Sequence, residues 1–170
     1  FKTQLTSIMG KNPQVIFCPN YYEDVSKILK QARDIGMTCP FLGGDGWDGL
    51  EGYATADQLK DAYFCANYAK GSNADFENAY KEEYGVEYPN GFAPLGYDAA
   101  MTVVYGLQAA EDAGLAAGDD DYKQAVIDAI AGGTINGITG TFTFDEHHDP
   151  VKQTAILCFD GETPVLKEMF

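Results

Sequence analysis

The feature that most constrains the fold is an alternation, over the first 68 residues, of short apolar runs with helical patterns. Apolar runs with strand character occupy residues 15–18, 40–43 and 62–68, and the first suits a strand that is buried on both faces. An amphipathic helical pattern lies between the first two, and a brief helical segment precedes the third. These successive strand–helix–strand connections predict the α/β class, with a parallel sheet and helices on both of its faces.

The remainder of the chain is mainly helical and then ends in strands. Further helical patterns cover residues 76–84, 94–113 and 122–130. Strand-like runs follow at residues 140–144 and 154–159. The pair Asp160-Gly161 then predicts a hairpin turn into Val165-Leu166.

The strongly negative net charge of the chain limits the classes of molecule that it can bind. The chain has 26 Asp and Glu against 11 Lys and Arg, which gives a net charge of -15. Such a field repels nucleic-acid phosphates and anionic lipid head groups. The sequence contains no apolar run of the length that spans a bilayer, and its four cysteines have no metal-ligand spacing. We therefore expect neither a nucleic-acid partner nor direct membrane insertion by this segment.

A glycine-rich turn at residues 44–49 matches the G-x-G-x-x-G spacing of dinucleotide-binding proteins. However, Asp45 and Asp48 stand where a pyrophosphate would have to lie. No long, well-patterned helix follows the turn directly, although that motif requires one. The pattern disfavours a nucleotide cofactor.

The same turn suits a cationic group better. Asp45 lies just beyond the carboxyl end of a predicted parallel strand, where open α/β sheets place their ligands. Tyr21 follows the preceding strand, so its ring belongs to the same rim. A carboxylate beside an aromatic ring is a natural site for an ammonium group. The residues alone are equally compatible with Asp45 capping the turn and Tyr21 only packing.

Two other acidic segments have the residue types of metal sites, but their patterns favour structural roles. The segment 145–150 holds two His and three acids, but adjacent side chains of an extended segment point to opposite sides, and its proline favours a turn. Asp119-Asp120-Asp121 lacks the ligand spacing of a calcium loop and favours a helix N-cap. With no nucleophile motif, metal site or cofactor turn, the sequence predicts a protein that is not an enzyme.

An ordered set of segments along the chain resembles one family. The set comprises residues 1–6 and 12–17, Tyr21-Tyr22-Glu23 with residues 30–36, Phe41 to Trp47, the helix at 76–85, Gly96-Tyr97-Asp98-Ala99-Ala100, residues 137–145 and Asp149-Pro150-Val151-Lys152. It resembles the type I periplasmic binding proteins that feed branched-chain amino acid ABC transporters. No single motif carries the resemblance, which extends over essentially the whole chain.

That resemblance implies two α/β lobes with the ligand in a cleft between them. Residues 1–69 would belong to the second lobe and residues 70–145 to the first. Residues 146–170 would return through the hinge and add the closing strands. An N-terminal half of the same protein would supply the groups that hold the ligand α-carboxylate, and this chain would begin in mid-structure.

The resemblance also assigns ligand-binding residues. Asp45 matches the acid that binds the α-ammonium group, and Tyr21 matches an aromatic residue that closes over the ligand. Phe92 matches a side-chain contact from the first lobe. Trp47 stands beside the acid and is expected to line the pocket. The implied function is substrate binding for an ABC transporter permease. The implied location is periplasmic or extracellular, with a lipid anchor through the N-terminus. The alternative is a ligand-sensing domain of a signalling receptor or an amide-responsive regulator with the same fold.

Overall fold

The computed structural model describes residues 1–87 and 90–170, which form two compact units. Among the described residues, the first unit comprises 1–70, 90–91 and 154–170, and the second comprises 71–87 and 92–153. The assignment of these segments to lobes remains a prediction. In chain order the helices are α1 (Lys2–Met9), α2 (Tyr22–Asp34), α3 (Ala56–Leu59), α4 (Ala74–Tyr84), α5 (Phe92–Asp112) and α6 (Asp120–Gly132).

The strands in chain order are β1 (Ile16–Phe17), β2 (Phe41–Gly43), β3 (Ala62–Ala66), β4 (Ile135–Gly137), β5 (Gly140–Phe144), β6 (Pro150–Val151), β7 (Ala155–Asp160) and β8 (Thr163–Met169).

The first unit is built on a five-stranded sheet of order β1-β2-β3-β7-β8. The strands β1, β2 and β3 run parallel, with Ile16 opposite Phe41 and Phe41 opposite Ala62. The strand β7 is antiparallel to β3, and β8 is antiparallel to β7. The α/β class with parallel strands is therefore confirmed. The hairpin from β7 to β8 is confirmed as well, with Gly161 in the left-handed region at φ +63°.

The apolar stripe of α2 provides much of the core of this unit. Its predicted inward positions, Val25, Ile28, Leu29 and Ala32, are all buried. They belong to one cluster with buried residues of the strands, among them Phe41, Ala62, Phe64 and Leu157. Burying each large apolar side chain stabilises the unit by about 1.5–3 kcal/mol. Acidic residues in the first turn of α2 and a left-handed Gly36 after it fit the ends of this helix.

The expectation that the first strand is buried on both faces is wrong. Ile16 packs against the core cluster, but the next side chain, Phe17, is 68% exposed. Successive residues of a strand point to opposite faces, and within the described part of the chain β1 is an edge strand that pairs with β2 alone. A continuous apolar run therefore did not mean burial on both faces here.

The second unit combines α4, α5 and α6 with a three-stranded antiparallel sheet of order β4-β5-β6. Sequence patterns predicted β5 but missed β4 and β6, which have only three and two residues. Buried Asp98 of α5 accepts hydrogen bonds from the backbone N–H groups of Ile138 and Thr139 at 2.7 and 2.9 Å. This carboxylate fixes the turn between β4 and β5. The same hydrogen bonds join the segment around residue 98 to the segment around residue 138.

None of the described helices is both long enough and apolar enough to cross a membrane.

Candidate functional site

The turn that follows β2 is held in place by the buried side chain of Trp47. A short 3₁₀ helix covers Asp45–Trp47, and the indole of Trp47 has no exposed surface. Its Nε1 donates a hydrogen bond of 3.0 Å to the carbonyl oxygen of Cys18, just after β1. The ring lies directly on Gly43, where an added Cβ would come within 2.1 Å of Trp47 Cε2. Only glycine at position 43 permits this packing.

Tyr21 lies against the same turn. A Cβ built at Gly46 would be 3.3 Å from Tyr21 Cδ1 and 3.4 Å from the carbonyl oxygen of Asn20. The Tyr21 ring remains 67% exposed, and the residue is the N-cap of α2. The backbone of Gly46, the residue after Asp45, and an accessible aromatic ring are therefore neighbours.

Three carboxylates line this turn and the one after it. Asp45 is exposed, whereas Asp48 and Glu51 are half-buried. Burial raises the pKa of Asp48; a hydrogen bond from Gly91 opposes the rise and the charge of Asp45 adds to it. Burial also raises the pKa of Glu51, and Asp48 contributes to that rise. These three acids form a cluster at one end of the sheet, with the Lys70 ammonium acting on Glu51, and exposed Asp45 is the member best placed to meet a positively charged ligand group.

Asp48 makes the longest-range polar contact of the turn. Its Oδ2 accepts a hydrogen bond from the backbone N–H of Gly91 at 2.5 Å. Its own backbone N–H donates to the carbonyl oxygen of Asp45 at 3.0 Å. One residue therefore closes the turn that presents Asp45 and also holds a segment 43 positions further along the chain.

Of the four residues proposed from the sequence, the structure brings Tyr21, Asp45 and Trp47 together in the first unit. Phe92 belongs to the second unit, where it is the first residue of α5 and is 66% exposed. Trp47 differs from its predicted place at the pocket surface, because its indole is fully buried beneath the turn.

The structural interpretations of the other two acidic segments fit the structure. Asp145 Oδ1 accepts hydrogen bonds from the backbone N–H groups of His147 and Asp149 at 2.8 and 2.9 Å, so the segment forms a turn. Asp119 occupies the N-cap position of α6, although its side chain makes no capping hydrogen bond.

The relationship of the chain to known proteins agrees with this architecture. A family model for periplasmic binding proteins matches residues 1–162. The chain belongs to the periplasmic binding protein family. No individual curated protein sequence gives a significant match.

Two solved structures that are similar to this periplasmic binding protein are of proteins described as binding amino acids. A leucine-binding protein from Thermotoga maritima is 27% identical over 99% of this chain and 48% of its own, with a TM-score of 0.81. A branched-chain amino acid transporter substrate-binding protein from Streptococcus pneumoniae, in complex with isoleucine, is 28% identical over 99% of this chain and 47% of its own, with a TM-score of 0.77.

A more distant match shows the fold alone. It is a solute-binding protein of an ABC transporter from R. palustris, solved with benzoate, at 20% identity over 99% of this chain and 46% of its own, with a TM-score of 0.76. The chain spans about half the length of these three relatives. The family and the three relatives are described as binding proteins.

Sequence reasoning missed two residues that shape the site in this periplasmic binding protein. The sequence pattern places Gly43 in a strand and presents Asp48 only as an obstacle to phosphate binding. The packing of the Trp47 ring on Gly43 is a tertiary contact, and no local pattern in the sequence indicates it. The partner of Asp48 lies 43 positions away, and no local pattern could have shown it.

Proposed function

We propose that this chain is part of the extracytoplasmic substrate-binding component of an ABC transporter, and that it captures a small amino acid through the α-ammonium group. The observation that carries the proposal is the exposed Asp45 carboxylate on a rigid turn beside the exposed ring of Tyr21. A carboxylate gives an ammonium group charge-assisted hydrogen bonds. An aromatic face adds about 0.5–2 kcal/mol of cation–π attraction.

The rigidity of the turn supports the same role. A binding carboxylate is most effective when its backbone is already fixed, because little freedom is then lost on binding. The buried Trp47 beneath the turn and the Asp48 hydrogen bond to Gly91 provide that preorganisation. In this proposal Trp47 supports the turn and makes no direct contact with the ligand.

Branched-chain amino acids are the proposed ligand class. The relatives that are 27% and 28% identical to this chain are a leucine-binding protein and an isoleucine complex. The relative solved with benzoate, which has no ammonium group, is more distant. An acid on the binding turn favours a ligand that carries an amine.

The complete site would require both lobes. We propose that residues 1–69 contribute Asp45 and Tyr21 from the second lobe, and that residues 70–145 contribute Phe92 from the first. Residues 146–170 would return through the hinge. A further N-terminal half would complete the cleft. A membrane permease would receive the ligand. The protein would act outside the cytoplasm, held by a lipid anchor.

The test is calorimetric titration of the full-length protein with leucine, isoleucine and valine. Asp45→Asn removes the charge with little change of shape, and Glu168→Gln removes an exposed acid from β8 of the same unit as a control. Loss of a charge-assisted contact that the bound ligand covers should cost about 2 kcal/mol, which is a roughly 30-fold rise in Kd. We expect that rise for Asp45→Asn and none for Glu168→Gln. Unchanged affinity in Asp45→Asn would show that the site is assigned to the wrong residue.

A further inference from the structure

Two of the four cysteines lie on paired strands of the first unit. Cys65 belongs to β3 and Cys158 to β7, and these two strands are antiparallel. Tyr63 lies opposite Cys158. Cys65, two residues after Tyr63, lies opposite Ile156. Opposite residues of an antiparallel pair, and residues two apart along one strand, point to the same face of the sheet, so the two thiols are diagonal neighbours on one face.

The face that carries the thiols is the one turned away from the core. The alternate residues of the same strands, such as the opposed pair Phe64 and Leu157, are buried in the core cluster. Cys65 is exposed and Cys158 is half-buried, and within the described part of the chain both are free cysteines. A small reagent or ion in solution can therefore reach this pair.

The spacing of the two thiols favours a bridging ion over a disulfide. The Cα atoms of diagonal neighbours are about 7–8 Å apart. A disulfide cannot join residues whose Cα atoms are more than about 7 Å apart unless the backbone moves. A metal ion held between two sulfur atoms adds two bonds of about 2.3 Å each and so spans a wider gap.

A positive charge lies beside the pair. The Nζ atom of Lys167 is 5.8 Å from the centroid of the Tyr63 ring, and Tyr63 is the neighbour of both cysteines. A monovalent ion with two thiolate ligands carries a net charge of −1. The Lys167 ammonium would offset that charge.

We propose that Cys65 and Cys158 form a two-thiolate site for a soft metal ion of the copper(I) or mercury(II) class. Thiolate sulfur prefers soft ions, and these ions readily accept two sulfur ligands in a linear arrangement. Each thiol gives its proton to solvent as the metal–sulfur bond forms, and no electron is transferred. The site involves neither Asp45 nor Tyr21, so it stands or falls independently of the proposed function.

The first test is an anaerobic titration of the full-length protein with copper(I), in competition with a chromophoric copper(I) chelator. Cys65→Ser and Cys158→Ser each remove one ligand, and Cys39→Ser removes a half-buried thiol of the same unit as a control. A second ligand held on the same scaffold raises affinity by about 100-fold or more. We expect the Kd for copper(I) to rise by at least about 100-fold in either ligand variant and to stay unchanged in Cys39→Ser.

The second test identifies the thiols that the ion covers. Alkylation with iodoacetamide, measured peptide by peptide with mass spectrometry, reports the accessibility of each cysteine with and without copper(I). We expect one ion per molecule to protect Cys65 and Cys158 together, and protection of Cys158 to be lost in Cys65→Ser. Because Cys65 is exposed, serine at this position should leave the melting temperature unchanged, which separates loss of a ligand from loss of the fold.

Three results would overturn the proposal. They are a wild-type protein that binds no copper(I), an affinity that neither ligand variant lowers, and protection of one thiol that persists after the other is replaced. The second and third results would indicate an adventitious ion only.

Discussion

At the scale of single residues, the site depends on the absence of a side chain at position 43. The Trp47 indole occupies the space that a Cβ would need, and its Nε1 is committed to the carbonyl oxygen of Cys18. The ring cannot withdraw without losing this hydrogen bond and its packing in the core. The neighbouring Gly44 has open space where its Cβ would be, at an ordinary φ of -103°.

We predict that Gly43→Ala destabilises the chain by about 3 kcal/mol, because overpacking a rigid core position forces the backbone or the ring to shift. Gly44→Ala is the matched control and should change the free energy of unfolding by no more than about 0.5 kcal/mol. Urea denaturation followed by Trp47 fluorescence measures both. Equal stabilities of the two variants would show that the indole does not lie on Gly43.

At the scale of secondary-structure elements, α5 is a helix with apolar residues on most sides, of which only one stripe is buried. That stripe is formed by Pro94, Asp98, Thr102, Gly106 and Ala110. Large apolar residues elsewhere on the helix, among them Met101, Val103 and Val104, are exposed. The buried stripe meets α6 at Gly106, where an added Cβ would lie 2.8 Å from Ile130 Cγ1 and 2.9 Å from Val126 Cγ1.

Two glycines of α5 should respond to alanine in opposite directions. Alanine improves helix propensity by about 0.5–1 kcal/mol at either position. At exposed Gly96 nothing opposes this gain, so Gly96→Ala should stabilise the chain. At Gly106 the crowding against α6 should exceed the gain and leave a net loss of about 1 kcal/mol. Thermal unfolding of the two variants checks the prediction, and stabilisation by Gly106→Ala would contradict the close packing of α5 on α6.

The elements also show what a sequence can and cannot reveal. The stripe of α2 was predictable because its period alone determines which side chains face the core. The direction of β7 was not, because pairing with β3 depends on residues about 90 positions apart. In the site, Asp45 and Tyr21 could be proposed because both follow parallel strands and such ends meet at one edge of a sheet. The burial of Trp47 and the partner of Asp48 depend on tertiary packing, which leaves no local pattern.

At the scale of the whole molecule, the chain matches its relatives along its full length and covers about half of theirs. Two units, each with its own sheet, carry the residues assigned to the ligand. The central claim is that the Asp45 turn recognises the ammonium group of an amino acid.

The measurement that tests this claim most directly is a thermal-shift screen of the full-length protein against the twenty amino acids and benzoate, in parallel with Asp45→Asn. A ligand at 100 times its Kd stabilises a protein by about 2.7 kcal/mol, which raises Tm by about 5 °C or more. We predict shifts with leucine, isoleucine or valine that fall to about a third of their size in Asp45→Asn, and none with benzoate. A shift with benzoate alone, or an amino-acid shift of undiminished size in Asp45→Asn, would contradict the claim.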